Sequence, residues 1–258
     1  MSIKSNSFIS TKKRPKKPVK FNPLVGVIVF AVVFVLVLVL MPSEVQNSIS
    51  PEDAYKVGAD MKEIMEENDT REAVSINGHV ITVCDLKVAM RNLDLNNWKI
   101  TDEAKENHCL QLLITEKLLL LEFEKRGCTI DEEELNKRLK EYKDTQTAAV
   151  KNNADASEPF TRYLAGLGYT LENFFDSDFA VESITTEYKL EVVKLAICKD
   201  LGLSKIRDTQ VTRYLNDRLS DGTYKITKDG EVLKSDHGSV LPTPVATPTP
   251  VVTPTPAA

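Results

Sequence analysis

The chain has 258 residues, with 33 Lys and Arg against 38 Asp and Glu, which gives a formal net charge of −5 at pH 7. Seven of the basic residues precede residue 24, so 26 remain to face all 38 acidic residues, and the rest of the chain carries a net charge of −12. Because binding to nucleic-acid phosphates requires a basic surface, this acidic balance argues against nucleic acid as a partner.

The first predicted element is an apolar run at residues 24–41, eighteen consecutive positions without a polar side chain. As a helix, this run would be roughly 27 Å long, close to the roughly 30 Å thickness of the hydrocarbon core of a bilayer. We therefore expect one transmembrane helix at these residues.

The flanks of this run predict its orientation. Residues 1–23 contain seven Lys and Arg and no acidic residue, whereas the first charge after the run is Glu44. Basic flanks resist translocation, so we expect residues 1–23 to be a cytoplasmic tail. A cleaved signal peptide is the alternative, but residues 40–43 offer no small-x-small cleavage site. The sequence therefore predicts an uncleaved, single-pass signal anchor in the cell membrane, with the C-terminal domain extracytoplasmic.

Residues 42–72 are predicted to be a membrane-proximal helix and linker. Ser50 suits a helix N-cap and Pro51 suits the first helical position. Two carboxylates follow, and they favour the positive end of the helix dipole. We expect a helix that continues to about residue 67, and that either packs on the following domain or acts as a spacer from the membrane.

The predicted folded domain, residues 73–222, opens with a β-hairpin. Asn77 and Gly78 accept the positive φ angles of a two-residue turn, and alternating apolar residues flank them. This turn would pair Val74 with Ile81. A short helix is predicted next, from residue 84 to about residue 95.

The centre of the domain is a leucine-rich helix predicted at residues 101–126. Thr101 is its N-cap, and Gly127 occupies the position of a left-handed C-cap. Its apolar residues cover more than one face, so we expect it to be buried on several sides. The next helix, at about residues 129–150, is highly charged and is expected to face solvent.

Three further helices are predicted in the C-terminal half of the domain. A polar stretch at residues 151–158 interrupts the pattern, and a short helix follows at residues 159–167. One long helix is expected at about residues 171–200, where an apolar stripe continues for roughly 30 residues, or about 45 Å. Such a helix predicts an extended, open shape. After Gly202, the last helix is expected at about residues 209–219.

Residues 223–258 are predicted to be a polar linker and a Pro/Thr-rich tail. From residue 241 onward, proline recurs so often that the segment cannot bury a core, and we expect it to be disordered and polyproline-like. Contact with a cell wall through this tail is one expectation, and plain disorder is the alternative.

The cysteines and histidines show no metal-binding pattern. No Cys-x-x-Cys pair occurs and the three histidines are scattered, so no metal site and no cofactor are expected. The cysteines are candidates for one or two disulfides in an oxidising compartment, and buried free thiols are the alternative. The four are Cys84, Cys109, Cys128 and Cys198.

Five segments of the domain combine helix caps, turns and apolar positions in a recognisable order. They are Val-Ser-Ile-Asn-Gly-His-Val-Ile-Thr at 74–82, Glu-Lys-Arg-Gly-Cys at 124–128, Thr-Ile-Asp-Glu-Glu-Glu-Leu at 129–135, Phe-x-x-Tyr-Leu-x-x-Leu-Gly-Tyr-Thr-Leu-Glu-Asn-Phe at 160–174, and Ile-Arg-Asp-Thr-Gln-Val-Thr-Arg-Tyr-Leu at 206–215. The stretch at about residues 74–219 resembles the N-terminal chaperone module of SurA- and PrsA-type extracytoplasmic foldases. The resemblance implies an all-α chaperone-like domain.

The same resemblance implies that this chain lacks the enzymatic domain of that family. In that family a parvulin prolyl-isomerase domain follows the chaperone module, whereas 36 residues follow Gly222 here. The sequence also contains no Gly-x-Ser-x-Gly, no His-Glu-x-x-His, no phosphate loop and no dinucleotide fingerprint. We therefore expect no enzymatic activity, and we assign no catalytic residue.

The leading hypothesis for function is a holdase that binds unfolded or newly exported polypeptides outside the membrane. Its candidate binding residues are aromatic side chains that would line an exposed concavity, where they would contact apolar side chains with little specificity. The alternative is that these rings belong to the core. The candidates are Phe160, Tyr163, Tyr169, Phe174, Phe175 and Phe179.

Two other hypotheses involve defined partners. One is a cell-envelope scaffold or adaptor that docks one specific protein, and the other is an inactive subunit that pairs with a separate foldase. A homodimer that exchanges elements between two copies is a further alternative for the domain.

Overall fold

The computed structural model describes residues 49–96, 100–228 and 231–232. The predicted cytoplasmic tail, the predicted membrane helix at residues 24–41 and the Pro/Thr-rich tail from residue 241 lie outside these residues. Within the part of the chain that is described, no helix has both the length and the apolar character needed to cross a bilayer.

Eight α-helices and four short strands make up the regular structure of the described residues. The helices are α1 Pro51–Glu67, α2 Val83–Leu93, α3 Asp102–Lys125, α4 Glu132–Asn152, α5 Ala154–Leu167, α6 Leu171–Phe174, α7 Asp178–Asp200 and α8 Asp208–Ser220. The strands are β1 Glu72–Ile76, β2 His79–Thr82, β3 Ile226–Lys228 and β4 Glu231–Val232, and a 3-10 turn at Asp94–Asn96 follows α2. These elements confirm the prediction of a mainly helical domain with a small β element.

The predicted hairpin is confirmed as the first two strands of the sheet. β1 and β2 are antiparallel, and Val74 pairs with Ile81 as expected. Asn77 and Gly78 have φ angles of 50° and 84°. Because both turn positions need positive φ, this dipeptide fits the two-residue turn at low strain.

The sheet is larger than a hairpin because the chain returns to it after α8. β3 pairs antiparallel with β1, and the strand order is β2-β1-β3-β4. The hydroxyls of Ser75 and Thr227, 152 residues apart in the chain, lie 2.7 Å from each other. Tyr224 and Ile226 are buried. Residues 223–228, which were predicted to be part of a polar linker, therefore belong to the folded domain.

A buried carboxylate fastens this C-terminal segment to α3. Glu122 is 1% exposed, and its carboxylate accepts hydrogen bonds from the hydroxyls of Tyr224 at 2.7 Å and Tyr214 at 3.0 Å. Arg126 Nε donates a third bond at 2.9 Å. Burial by itself raises the pKa of Glu122, but the three hydrogen bonds outweigh it and hold the pKa below its ordinary value of 4.5. The ionised carboxylate thus links α3, α8 and the segment before β3.

Glu122→Gln is expected to lower the free energy of unfolding near neutral pH by about 2 kcal/mol, because neutral hydrogen bonds replace charge-assisted ones in a buried site. Since the pKa of Glu122 is lower in the folded state, its stabilisation is present above the ordinary glutamate pKa and is lost as the pH falls through the folded pKa. The difference between the two proteins should therefore shrink on acidification. Urea unfolding of the full chain in nonionic detergent, followed by circular dichroism at successively lower pH, measures it.

The matched control for this prediction is Glu141→Gln, because the Glu141 side chain is 64% exposed. It should leave the free energy of unfolding almost unchanged. A loss of stability in Glu122→Gln that stayed constant as the pH fell would contradict the role assigned to the ionised carboxylate.

α1 packs on the domain and does not project from it. Ser50 caps the helix by accepting a hydrogen bond from the Asp53 amide at 3.1 Å, as predicted. Ala54, Val57 and Met61 lie on one face and are buried. Of the two alternatives for this helix, packing on the domain is confirmed and the spacer is wrong.

Two glycines allow the backbones of α1 and α5 to approach closely. A Cβ atom placed on Gly58 would overlap the carbonyl oxygen of Tyr163. A Cβ atom placed on Gly166 would overlap the carbonyl oxygen of Tyr55 and would lie 2.7 Å from the amide nitrogen of Ala59. The absence of a Cβ atom at both positions is therefore what lets the two backbones come this close. A side chain at either position would force the helices apart.

α5 begins earlier than predicted. It starts at Ala154, within the polar stretch expected to interrupt the helices, and Pro159 lies inside it. Pro159 lacks a backbone amide and so loses one helical hydrogen bond, but the Ser157 amide still donates to the Asn153 carbonyl at 3.0 Å. The interruption is confined to Asn153, whose φ of −142° leaves the helical region.

The long helix predicted at residues 171–200 is divided into α6 and α7. Ser177 caps α7 by accepting a hydrogen bond from the Ala180 amide at 3.2 Å, and its hydroxyl donates to the Phe174 carbonyl at the end of α6. The apolar positions continue on both sides of this break, so their pattern did not reveal it. α7 has 23 residues and is about 35 Å long. The prediction of an extended, open shape depended on one undivided helix, so the break between α6 and α7 removes the support for it.

α3 lies at the centre of the core, as its apolar pattern predicts. Leu113, Leu118 and Phe123 are among its buried side chains, and its C-terminus is followed by Gly127 with a φ of 61°. The cysteines are free thiols in the structure, so the disulfide alternative is not realised there. Cys84, Cys109 and Cys198 are buried and Cys128 is partly buried.

Candidate functional site

The structure buries most of the predicted polypeptide-binding residues. Phe160, Tyr163, Phe174 and Phe175 are at most 7% exposed. Tyr169, between α5 and α6, and Phe179, in the first turn of α7, are partly buried. The prediction of an exposed aromatic concavity is therefore wrong for four of the six residues, and the alternative, that they belong to the core, is right for them. The reason is that α5, α6 and α7 converge and turn these rings toward one another.

Five of the six rings form one group, which we call the aromatic cluster. The Phe174 ring lies at its centre, with centroids of other rings 5.2 to 6.5 Å away and mostly edge-to-face geometry. Such geometry places the positive edge of one ring against the negative face of another. The cluster consists of Phe160, Tyr169, Phe174, Phe175 and Phe179.

The remaining candidate, Tyr163, does not join the aromatic cluster. Its hydroxyl donates to the Met61 sulfur of α1 at 3.5 Å, and it is 3% exposed. Burial raises the pKa of Tyr163. This ring therefore belongs to the packing between α1 and α5.

A tyrosine of α4 extends the aromatic cluster toward solvent. The rings of Tyr142 and Phe175 have centroids 5.6 Å apart and planes inclined at 75°. Tyr142 is partly buried. Burial raises the pKa of its hydroxyl, and the nearby carboxylate of Glu187 raises it further. α4 thus lies over Phe175.

Polar contacts hold α4 against α6 and α7. Arg138 forms an ion pair with Glu191 of α7, and its guanidinium lies over the Tyr188 ring at 4.3 Å from the centroid. Lys143 Nζ lies 2.8 Å from both carboxylate oxygens of Asp176, which precedes α7. The two ion pairs are partly exposed, and pairs of this kind contribute less than about 1 kcal/mol each.

The apolar attachment of α4 is small. Among its 21 residues, Gln146 is the buried one. Tyr142 and Val150 are its members that pack against the main core. The Oε1 atom of Gln146 is buried and accepts no hydrogen bond within the described residues. α4 is therefore a polar, weakly fastened cover over the edge of the aromatic cluster.

The packing of α4 on the aromatic cluster could not be predicted from its sequence, because its charges indicated a helix that faces solvent. Arg138 lies over the Tyr188 ring, Tyr142 packs on Phe175, and Gln146 is buried. The three are each four positions apart and therefore share one face of α4. A tyrosine at the centre of a charged stripe was the available signal.

The described residues include several buried ionisable groups, but burial makes the thiols poor nucleophiles. Burial raises the pKa of the Cys109 thiol to about 12 and also raises that of Cys84. A thiol with such a pKa stays protonated at neutral pH. Within the described ranges, no group of three or more His, Cys, Asp and Glu side chains is arranged to hold a metal ion.

No protein-family model matches the sequence, no curated protein matches it, and no solved structure matches its fold. The resemblance to the chaperone module of SurA- and PrsA-type foldases therefore stays a prediction.

Proposed function

We propose that this chain is a membrane-anchored, extracytoplasmic holdase that binds unfolded or newly exported polypeptides without catalysis. The observation that carries the proposal is the aromatic cluster, in which Tyr169 and Phe179 are partly exposed and Phe175 is covered by a helix held mainly through polar contacts. The resemblance of residues 74–219 to a chaperone module supports the same function by analogy, and the predicted signal anchor supports the location.

The binding surface in this proposal differs from the one expected from the sequence. Phe174 and Phe175 are buried and serve the structure of the domain. The rings that contact a client in this proposal are the partly exposed ones, Tyr169 and Phe179 of the cluster and Tyr142 of α4. Flat rings with little conformational freedom contact many apolar side chains at low entropic cost. Binding of this kind is broad in specificity.

A second candidate function is an adaptor that docks one specific partner. The observation that favours it is the scarcity of exposed apolar surface: among the described residues, the large hydrophobic side chains that stand exposed are Tyr55 at 45% and Leu201 at 47%. A promiscuous holdase generally presents a larger apolar surface.

The proposal predicts that the full chain, in lipid nanodiscs, suppresses aggregation of two unrelated denatured proteins at equimolar ratio. The variant Tyr169→Ser with Phe179→Ser should lose most of this suppression, because it removes the accessible edge of the cluster. Light scattering of the denatured proteins measures the effect, with empty nanodiscs as the blank.

The control variant is Tyr55→Ser, which removes an exposed ring on α1, outside the aromatic cluster, and should leave suppression unchanged. Circular dichroism of each variant establishes that it stays helical. A folded wild-type chain that suppressed neither denatured protein would refute the holdase. Capture of one stoichiometric partner from an envelope extract would then support the adaptor.

A further inference from the structure

The surface beneath α4 combines aromatic rings with carboxylates. Phe175 and Tyr188 supply the rings, and Asp176 and Glu191 supply carboxylates that pair with α4. Glu187 is exposed and lies close enough to Tyr142 to raise the pKa of its hydroxyl. We call these five residues the acidic aromatic face. Tyr188 is 9% exposed and is buried by its neighbours, although it lies outside the main apolar cluster. The face therefore has its own packing partner, which in this structure is α4.

α4 complements this face in both charge and shape. Arg138 and Lys143 place positive charge against Glu191 and Asp176, and Tyr142 places its ring on Phe175. The three side chains lie within about one and a half helical turns. The face thus accepts a short amphipathic segment with an aromatic residue between two basic ones.

The attachment of α4 is weak enough to be exchanged. Its ion pairs involve side chains that are 31% and 47% exposed in one case and 40% and 69% in the other. The segments that join it to its neighbours contain Gly127, with a φ of 61°, and Asn153, with a φ of −142°. Both positions lie outside the helical region, so α4 is connected to α3 and α5 by breaks and not by continuous helix.

We propose that the acidic aromatic face is a binding site for a basic, aromatic-bearing segment of another polypeptide, which takes the place of α4. The proposal rests on the proposed polypeptide binding and names the chemistry of the client. Charge complementarity selects this occupant, because an acidic segment would meet three carboxylates at the same face.

The probe for this site is a fluorescent peptide with the sequence of residues 131–152, since that segment already carries the complementary side chains. The full chain in lipid nanodiscs is titrated with it and followed by fluorescence anisotropy. Arg138→Glu in the chain should loosen the resident α4, because it places a carboxylate against Glu191, and should raise the apparent affinity for the peptide about fivefold.

The matched control is Lys137→Glu, the same charge change one position away, where the side chain is 62% exposed and forms ion pairs with Glu134 and Glu141 of α4 itself. It should leave the affinity unchanged. A peptide in which the position of Tyr142 carries Ser should bind the Arg138→Glu chain several-fold more weakly, because it lacks the ring that packs on Phe175. Adding Glu191→Lys to the Arg138→Glu chain should close α4 again through a reversed ion pair and lower the affinity.

Amide hydrogen exchange of residues 135–150 in the same samples reports whether α4 has been released. Fast exchange of these amides in a chain that binds no peptide would overturn the proposal. Equal affinity of the Arg138→Glu and Lys137→Glu chains for the peptide would also overturn it. If Arg138→Glu loses its helical circular dichroism, Arg138→Gln replaces it as the milder variant, with the same expected direction, because it weakens the resident α4 and leaves the face intact.

The two proposals fail separately. Suppression of aggregation without peptide binding would overturn this site and leave the holdase standing. Peptide binding without suppression of unrelated denatured proteins would support the site and overturn the holdase in favour of the adaptor.

Discussion

Phe174→Ala is expected to lower the free energy of unfolding by about 4 kcal/mol, the largest effect among the five rings of the aromatic cluster. Phe174 is 2% exposed, and its ring contacts Phe160, Tyr169, Phe175 and Phe179 with centroid distances of 6.5, 5.7, 5.2 and 6.0 Å. The substitution removes buried apolar surface and leaves a cavity between three helices that cannot close fully. Urea unfolding of the full chain in nonionic detergent, followed by circular dichroism, measures the loss.

Phe179→Ala is the matched control for this prediction. Phe179 belongs to the same cluster but is partly exposed, so its loss should be about 1 to 2 kcal/mol. Equal losses at the two positions would contradict the arrangement in which Phe174 is the centre of the cluster and Phe179 its edge.

Gly166→Ala is expected to destabilise the domain by about 3 kcal/mol, although intrinsic helix propensity alone would favour the alanine by about 1 kcal/mol. The added methyl group would overlap the carbonyl oxygen of Tyr55 and press on the amide of Ala59. Both atoms belong to the α1 backbone, which cannot move aside as a flexible side chain would. The helices must separate, and the buried residues between them lose packing.

The sign of the change tests the close contact directly, by the same unfolding measurement. A stabilised Gly166→Ala protein would mean that α1 and α5 do not touch as described. Gly202→Ala is the control, because a Cβ atom at Gly202 meets no atom within 4 Å. Its φ of 75° should limit the cost to about 1 kcal/mol of backbone strain.

Local chemistry predicted the elements whose ends carry their own signals. Ser50 and Thr101 cap their helices through side-chain hydrogen bonds to backbone amides, and Asn77 with Gly78 sets the hairpin register. These features depend on residues three or fewer positions apart, so they can be read without knowing the fold. The core position of α3 followed from the same kind of local pattern.

Features that depend on distant residues could not be predicted. β3 exists because it pairs with β1, and its three residues have no pattern of their own. The contact of Gly58 with α5 is set by a helix about a hundred residues later, so the sequence shows only an ordinary glycine. The charges of α4 pointed to solvent, whereas Arg138 covers a ring of α7.

For the same reason, the sequence identified the residues of the candidate site but not which of them are buried. The six aromatic residues were identified from composition alone, but whether a ring faces inward depends on how α5, α6 and α7 cross. Ser177, which ends the turn after α6, changes that crossing through a single cap. The break between α6 and α7 that this cap marks is therefore one of the features that turn the rings inward.

If residues 24–41 cross the membrane as predicted, the docking of α1 on α5 also limits how far from the bilayer the domain can move. With a membrane helix at residues 24–41, only residues 42–50 would connect it to α1, a tether of at most about 30 Å when fully extended. A free α1 would have added about 25 Å to that radius. The domain would then bind polypeptides that lie close to the bilayer and would not reach those farther away.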